Sequence, residues 1–241
     1  MSLHVFNTRP AGQAAALTQA LQALGMTVTE LPLIAITPRA LDAAQQRLLL
    51  DLDRYDAVFF VSANAARLGL EAVADYWPQW PHALPAYAVG ESSAAVLRDA
   101  ALTVELPAQS DTEGLLALSS LQEVTGKKFL LLRGVGGREL LRETLQARGA
   151  TVDVVELYHR ELPADAAQRL QSAGQPDVLI LTSPDALRHW QQLAGDAALR
   201  PLWLVVSARM QAQAQAVGAT VLQAQAADVA SIVAALQQRF S

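Results

Sequence analysis

The strongest constraint on the fold is a set of short, almost wholly apolar runs that end on turn or capping residues. Ala57-Val58-Phe59-Phe60-Val61 lies between Asp56 and Ser62, and Phe129–Leu132, Val178–Leu181 and Leu202–Val206 are built alike. Val5–Thr8, Met26–Leu31, Ala86–Val89 and Val152–Val155 read as further strands. A strand without polar alternation has to be covered on both faces, as in parallel sheets flanked by helices. The helices lie between the runs. Leu17, Leu21 and Leu24 recur at helical spacing before Gly25, and Leu140, Leu141 and Leu145 do so before Gly149. The expected class is α/β, with parallel sheets in three layers.

Composition narrows the function more than the fold. The 241 residues are 52% hydrophobic and 17% charged, which excludes wholesale disorder. With no cysteine there is no disulfide, thiolate nucleophile or cysteine-held metal or cluster. Four histidines leave little for a histidine metal site; His4, His82 and His189 read as structural. A formal net charge of −5 argues against a nucleic-acid binder. The N-terminus lacks a basic-then-apolar leader, and no run approaches the ~18 apolar residues of a membrane span. A cytoplasmic protein with no membrane partner is expected.

The chain also resembles itself. His4–Arg9 aligns with Lys128–Arg133, and Leu24–Val28 with Arg148–Val152, both displaced by 124 residues. Asp56–Ser62 aligns with Asp177–Ser183 at a displacement of 121, and Ala101–Val104 aligns with Gly218–Val221. The matches include Arg, Gly, Asp and Ser at element ends, so two similar α/β units are expected. Two extended segments, Pro32–Pro38 and Glu156–Pro163, interrupt the alternation. Read as paired crossings, they predict a discontinuous domain of residues 1–34 plus 163–241 and an inserted domain of 39–155. Residues 35–38 and 156–162 are then the linkers, with a ligand cleft between the domains.

Polar residues collect just after the strands: Thr8 and Arg9; Ser62 and Asn64; Gly90, Ser92 and Ser93; Arg133, Gly134, Gly137 and Arg138; Thr182 and Ser183; Ser207. In parallel sheets these ends line the binding crevice, and helix starts there offer free N–H groups to anions. An anionic ligand is therefore expected. Ser62, Ser92 and Thr182-Ser183 read equally as helix N-caps. Gly137-Arg138 reads as a tight turn presenting a guanidinium to a carboxylate, or as surface. Gly134-x-Gly136-Gly137 fails the dinucleotide fingerprint, and no phosphate loop is present. Strand alternation sends Tyr158 and His159 to opposite faces. Tyr158 then either packs at a domain junction or turns its hydroxyl to a leaving group in the cleft.

In order and spacing, several stretches together resemble the uroporphyrinogen-III synthase family over essentially the whole chain. They are Asn7–Pro10, Asp56–Asn64, Ala88–Gly90 with Ser93-Ala94, Ser110–Leu116, Leu131–Gly134 with Gly137–Leu140, Val154–Arg160 and Thr182–Ala186. The resemblance implies two flavodoxin-like domains joined by a two-stranded β-ladder, working as a monomer without a cofactor or metal. The implied substrate is hydroxymethylbilane, a linear tetrapyrrole with eight carboxylates, and transient handover from hydroxymethylbilane synthase is an implied partner interaction. It would be cyclised with loss of water and inversion of ring D through a spiro-pyrrolenine. The implied site places Tyr158 at loss of the hydroxyl and the strand-end residues at the carboxylates. Ser207-Ala208-Arg209-Met210-Gln211 stands where the family has a second Gly-x-x-Thr-Ala pattern, so Met210 brings no hydroxyl and Ser207 is the candidate replacement. The competing class is a two-lobed binding or scaffold protein for an anionic ligand, which turnover would distinguish.

Overall fold

The structure is a computed structural model that describes residues 2–240. In chain order it starts with β1 (His4–Asn7), α1 (Ala15–Ala23) and β2 (Thr27–Glu30). Next come β3 (Ala35–Pro38), α2 (Ala43–Leu50), β4 (Ala57–Phe60), α3 (Ala63–Ala74), β5 (Ala86–Ala88), α4 (Glu91–Asp99) and β6 (Val104–Glu105). Then follow α5 (Thr112–Leu116), β7 (Lys128–Gly134), α6 (Leu140–Ala147) and β8 (Thr151–Glu161). The chain closes with α7 (Ala166–Ala173), β9 (Val178–Leu181), α8 (Pro184–Ala194), β10 (Leu202–Val205), α9 (Ala208–Ala216), β11 (Val221–Gln223) and α10 (Val229–Phe240). Two compact units result: Met1–Ala35 with Arg160–Ser241, and Ile36–His159.

The first unit holds a five-stranded parallel sheet in the order β2-β1-β9-β10-β11. Val5, Val178, Ile180 and Leu204 meet Leu17 and Leu21 of α1 and Ile232 and Leu236 of α10 on one face. On alternate positions Phe6, Leu179 and Trp203 are fully buried, and Phe6 packs edge-on against Trp190 of α8. Every residue of β9 and β10 is apolar because both faces of these inner strands are covered.

The second unit holds β8-β7-β4-β5-β6 in the same relative positions, with β3 added beside β8. Val58 and Phe60 pack with residues of α3 and α4, whereas Ala57 and Phe59 pack with Leu115, Leu141 and Leu145. Each fully buried Phe contributes about 1.5–3 kcal/mol. Strands matched by the internal repeat hold equivalent sheet positions: β1 with β7, β2 with β8, β9 with β4, and β11 with β6. The first sheet therefore draws two strands from the first half of the sequence and three from the second, and the other sheet four from the first half and two from the second.

The two extended segments pair as the resemblance implies: Ala35–Pro38 is β3, the neighbour of β8, and Arg39 N–H donates to the Leu157 carbonyl at 2.8 Å. Val152–Val155 and Glu156–Glu161 belong to one unbroken strand, β8. One sequence reading changes. Ser92 is not an N-cap. Gly90 holds that position because α4 begins at Glu91; a Cβ on residue 90 would come within 3.1 Å of the Ser110 Cβ.

Candidate active site

In the first unit the residues after β1 are anchored internally. Thr8 is 1% exposed, and its hydroxyl donates to the Ile180 carbonyl at 2.6 Å, tying the end of β1 to β9. Asn7 beneath it donates to the Ala14 carbonyl and to Thr18 Oγ1, which shapes the turn into α1. Arg9 is half-buried and donates to the Ala227 carbonyl. Burial lowers its pKa from the ordinary arginine value, opposed by the nearby Asp228 carboxylate. Ser183 and Ser207 are N-caps, accepting from Ala186 N–H at 3.1 Å and Met210 N–H at 3.3 Å. Thr182 is the residue before the α8 cap. Met210 is buried, so its side chain packs inside the unit and faces no ligand.

His4 and His189 are satisfied structural groups. His4 bridges the Gln175 carbonyl and Thr29 Oγ1, and His189 Nδ1 lies 2.6 Å from the Leu33 carbonyl. Among the described residues no cluster of His, Asp and Glu could hold a metal.

The second unit brings more of the expected residues together. β7, β4 and β5 are neighbours, so the segments at Gly134, Ser62 and Gly90 follow adjacent strands. Ser62 caps the twelve-residue α3 by accepting from Ala65 N–H at 3.0 Å, and its Oγ lies 2.9 Å from Tyr158 Oη. Tyr158 is 1% exposed and packs on Gly134. Asn64 opens the first turn of α3, Ser92 lies exposed in the first turn of α4, and Ser93 is buried behind it.

The arginines face protein carboxylates. Arg133, 7% exposed, sits between Glu139 at 2.7 Å and Glu156 at 3.3 Å, and Glu156 also meets Arg39 at 3.1 Å. Arg133 holds the Glu139 carboxyl below the usual carboxylate range. Its own Nε has no hydrogen-bond partner among the described residues. A Cβ on Gly137 would come within 3.3 Å of the Arg133 side chain, so that glycine lets the loop fold close to it. Arg138 is exposed and forked onto Glu113 at 2.7 and 3.3 Å. The pair raises the arginine and lowers the glutamate from their ordinary pKa values. Sequence reasoning missed Glu113, Glu139 and Glu156 as partners, because ion pairs across strand ends leave no local spacing. Glu113 does lie inside the Ser110–Leu116 stretch that carries the resemblance.

A hollow of about 670 Å³ in this unit lies among Asp53, Tyr55, Asp56 and Trp77–Pro85, before the starts of β4 and β5. Its aspartates and indoles suit a polyanion poorly, and none of the strand-end residues lines it. The strand ends, with their capped helices and arginines, have the chemistry an anionic ligand requires.

Fold and site define a two-domain parallel α/β protein with capped helix starts and paired arginines at its strand ends. A family model described as uroporphyrinogen-III synthase HemD matches residues 15–234. The uroporphyrinogen-III synthase of Salmonella typhimurium is 34% identical over 229 residues, covering 90% of this chain and 92% of the relative. That of Proteus mirabilis is 38% identical over 162 residues, covering 66% and 80%. A crystal structure of a mutant Thermus thermophilus uroporphyrinogen III synthase superposes with a TM-score of 0.69 at 19% identity, covering 98% of this chain and all of that one. The Helicobacter pylori enzyme gives 0.66 at 15%, covering 99% and 100%. The chain belongs to the uroporphyrinogen-III synthase family.

Proposed function

We infer that this chain cyclises hydroxymethylbilane to uroporphyrinogen III. The observation that carries the reading is the family match, which runs through both units. The hydroxyl on ring A takes a proton and leaves as water. The azafulvene so formed is attacked by the substituted carbon of ring D, and the spiro-pyrrolenine fragments and recloses with ring D inverted. One proton returns as the rings regain aromaticity, so the net change is loss of one water.

The sparse acid–base chemistry of the site suits this reaction. The main task is to hold the chain folded and to prevent direct closure to the symmetric isomer, which is catalysis by positioning. In this reading Tyr158 supplies the proton to the leaving hydroxyl. Helix starts at Asn64, Ser92 and Ser93 in one unit and Ser183 and Ser207 in the other hold substrate carboxylates, with Arg133 Nε and Arg138. Local dipoles and guanidinium groups outweigh the net charge of −5 at such points. The working form we propose is a cytoplasmic monomer without cofactor, supplied by hydroxymethylbilane synthase.

The test generates hydroxymethylbilane in place and separates the uroporphyrin isomers after oxidation. Isomer III in proportion to added protein is the expected result. Isomer I alone, with the protein folded, overturns the enzymatic reading in favour of a binding or scaffold role.

A further inference from the structure

Three features converge on the Tyr158 hydroxyl. The first is a register shift between β7 and β8: Arg133 faces Glu156, but Gly134 faces Tyr158, so Leu157 is the extra residue of a bulge. A bulge re-aims the side chain that follows it. Val152 and Val154 belong to one face of the sheet, and Val155 and Leu157 to the other. Alternation alone would put Tyr158 with Val154, yet it joins the Val155 and Leu157 core.

The second is Gly134. A Cβ there would lie 2.6 and 2.7 Å from Tyr158 Cε2 and Cζ, and 3.1 Å from Oη. Absence of the side chain is what lets the phenol lie flat on the β7 backbone. The third is Ser62, whose Oγ accepts from Ala65 N–H and lies 2.9 Å from Tyr158 Oη.

A serine hydroxyl has one proton and two acceptor sites. One acceptor site is occupied by Ala65 N–H. If Tyr158 donates to Ser62, the phenolic proton is committed to that bond. If Ser62 donates to Tyr158, the phenolic proton is not committed to Ser62, and the phenol oxygen has a donor waiting as it becomes negative. The oxygens meet at the N-terminus of α3, where the helix dipole favours negative charge. We propose that Ser62 is a positioning residue whose O–H donates to Tyr158 Oη, holding the tyrosine as proton donor to the leaving hydroxyl; this rests on the role given to Tyr158 above. In the step, the Tyr158 O–H and ring A C–O bonds break and water forms. The phenolate accepts a charge-assisted bond from Ser62 and is reprotonated as the rings regain aromaticity.

The test uses the full chain in the coupled assay, with thermal melts alongside. Ser62→Thr keeps both cap and donor. Ser62→Asp keeps the cap acceptor but, ionised, cannot donate. Ser62→Ala loses both. The expected result is near-normal kcat for Ser62→Thr, and a fall of about ten- to hundredfold at saturating substrate for Ser62→Asp and Ser62→Ala. Ser62→Asp should melt near the parent. In a Tyr158→Phe background, Ser62→Ala should lower kcat no further. A normal kcat in Ser62→Asp, or a full Ser62→Ala effect persisting in Tyr158→Phe, overturns the proposal. An unchanged kcat in Tyr158→Phe alone instead removes the role of Tyr158, and the proposal with it.

Discussion

Leu157 and Tyr158, neighbours in β8, bury their side chains in the same core. A regular strand would turn them to opposite faces, so the pair marks the point where β8 departs from the repeat of two. That departure depends on Gly134, the residue facing Tyr158 across the bulge.

Gly134→Ala should therefore damage both stability and activity. The new Cβ meets the Tyr158 ring at 2.6 Å, backed by a buried sheet, so the ring has to leave its seat. Overpacking of this kind costs about 1–3 kcal/mol. Denaturant unfolding should show that loss, and kcat should fall at least as far as in Tyr158→Phe. A variant with parental stability and turnover would show that the seat is not needed.

Arg138 and Glu113 make opposite predictions. If Arg138 takes a substrate carboxylate, it must first release Glu113. Arg138→Ala should raise KM with little change in kcat, whereas Glu113→Ala frees the guanidinium and should lower KM. The pair is exposed, so neither change should move the unfolding midpoint appreciably. Parallel shifts of KM in the two variants would assign both residues to the loop alone.

The caps in the first unit separate folding from binding. Ser183→Ala and Ser207→Ala each remove a side-chain acceptor from a helix N-terminus and should cost about 1 kcal/mol. Ser183→Asp and Ser207→Asp should restore stability, since Asp caps equally well, but raise KM by setting a carboxylate against substrate carboxylates. Restored KM together with restored stability would limit both serines to capping.

Asp56 gives a pH-dependent stability. Its carboxylate accepts from Lys127 Nζ at 2.9 Å and Lys128 N–H at 2.8 Å, joining the starts of β4 and β7. Those bonds hold its pKa below the ordinary carboxylate value. The folded-state value lies below the unfolded one, so the contribution is present above the unfolded pKa and is lost as pH falls through the folded value. Asp56→Asn should lower the urea midpoint at neutral pH. The difference should close in strong acid, where the parent side chain is also neutral. A constant difference across that range would rule out this linkage.

Much of the scaffold is legible in the residues. Val178–Leu181 appears as a strand at its expected limits, and Ser62 and Ser183 cap the helices that follow their strands. The candidate site was less legible. Thr8 reads as a strand-end ligand, but its hydroxyl is bound to Ile180, 172 residues away. Arg133 reads as a strand-end residue and Arg138 as a turn presenting its guanidinium or as surface, but each faces a protein carboxylate brought from another element. Ser92 reads as a cap because the residue type favours one, but α4 begins one residue earlier, at Glu91, which leaves Gly90 as the cap and Ser92 within the first turn.

Residue order was enough to set the layers, the parallel sheets and the placing of polar residues at strand ends. Those follow from which side chains avoid water and which satisfy free N–H groups at a helix start, both properties of short segments. Tertiary structure alone decided the strand order within each sheet, β2-β1-β9-β10-β11 in one and β3-β8-β7-β4-β5-β6 in the other. It also decided the face Tyr158 takes. One extra residue in β8 reverses the alternation, and room for the ring depends on a glycine 24 residues earlier in the chain, lying opposite across the ladder. Contacts of that range depend on packing in three dimensions, which no local pattern of residues encodes.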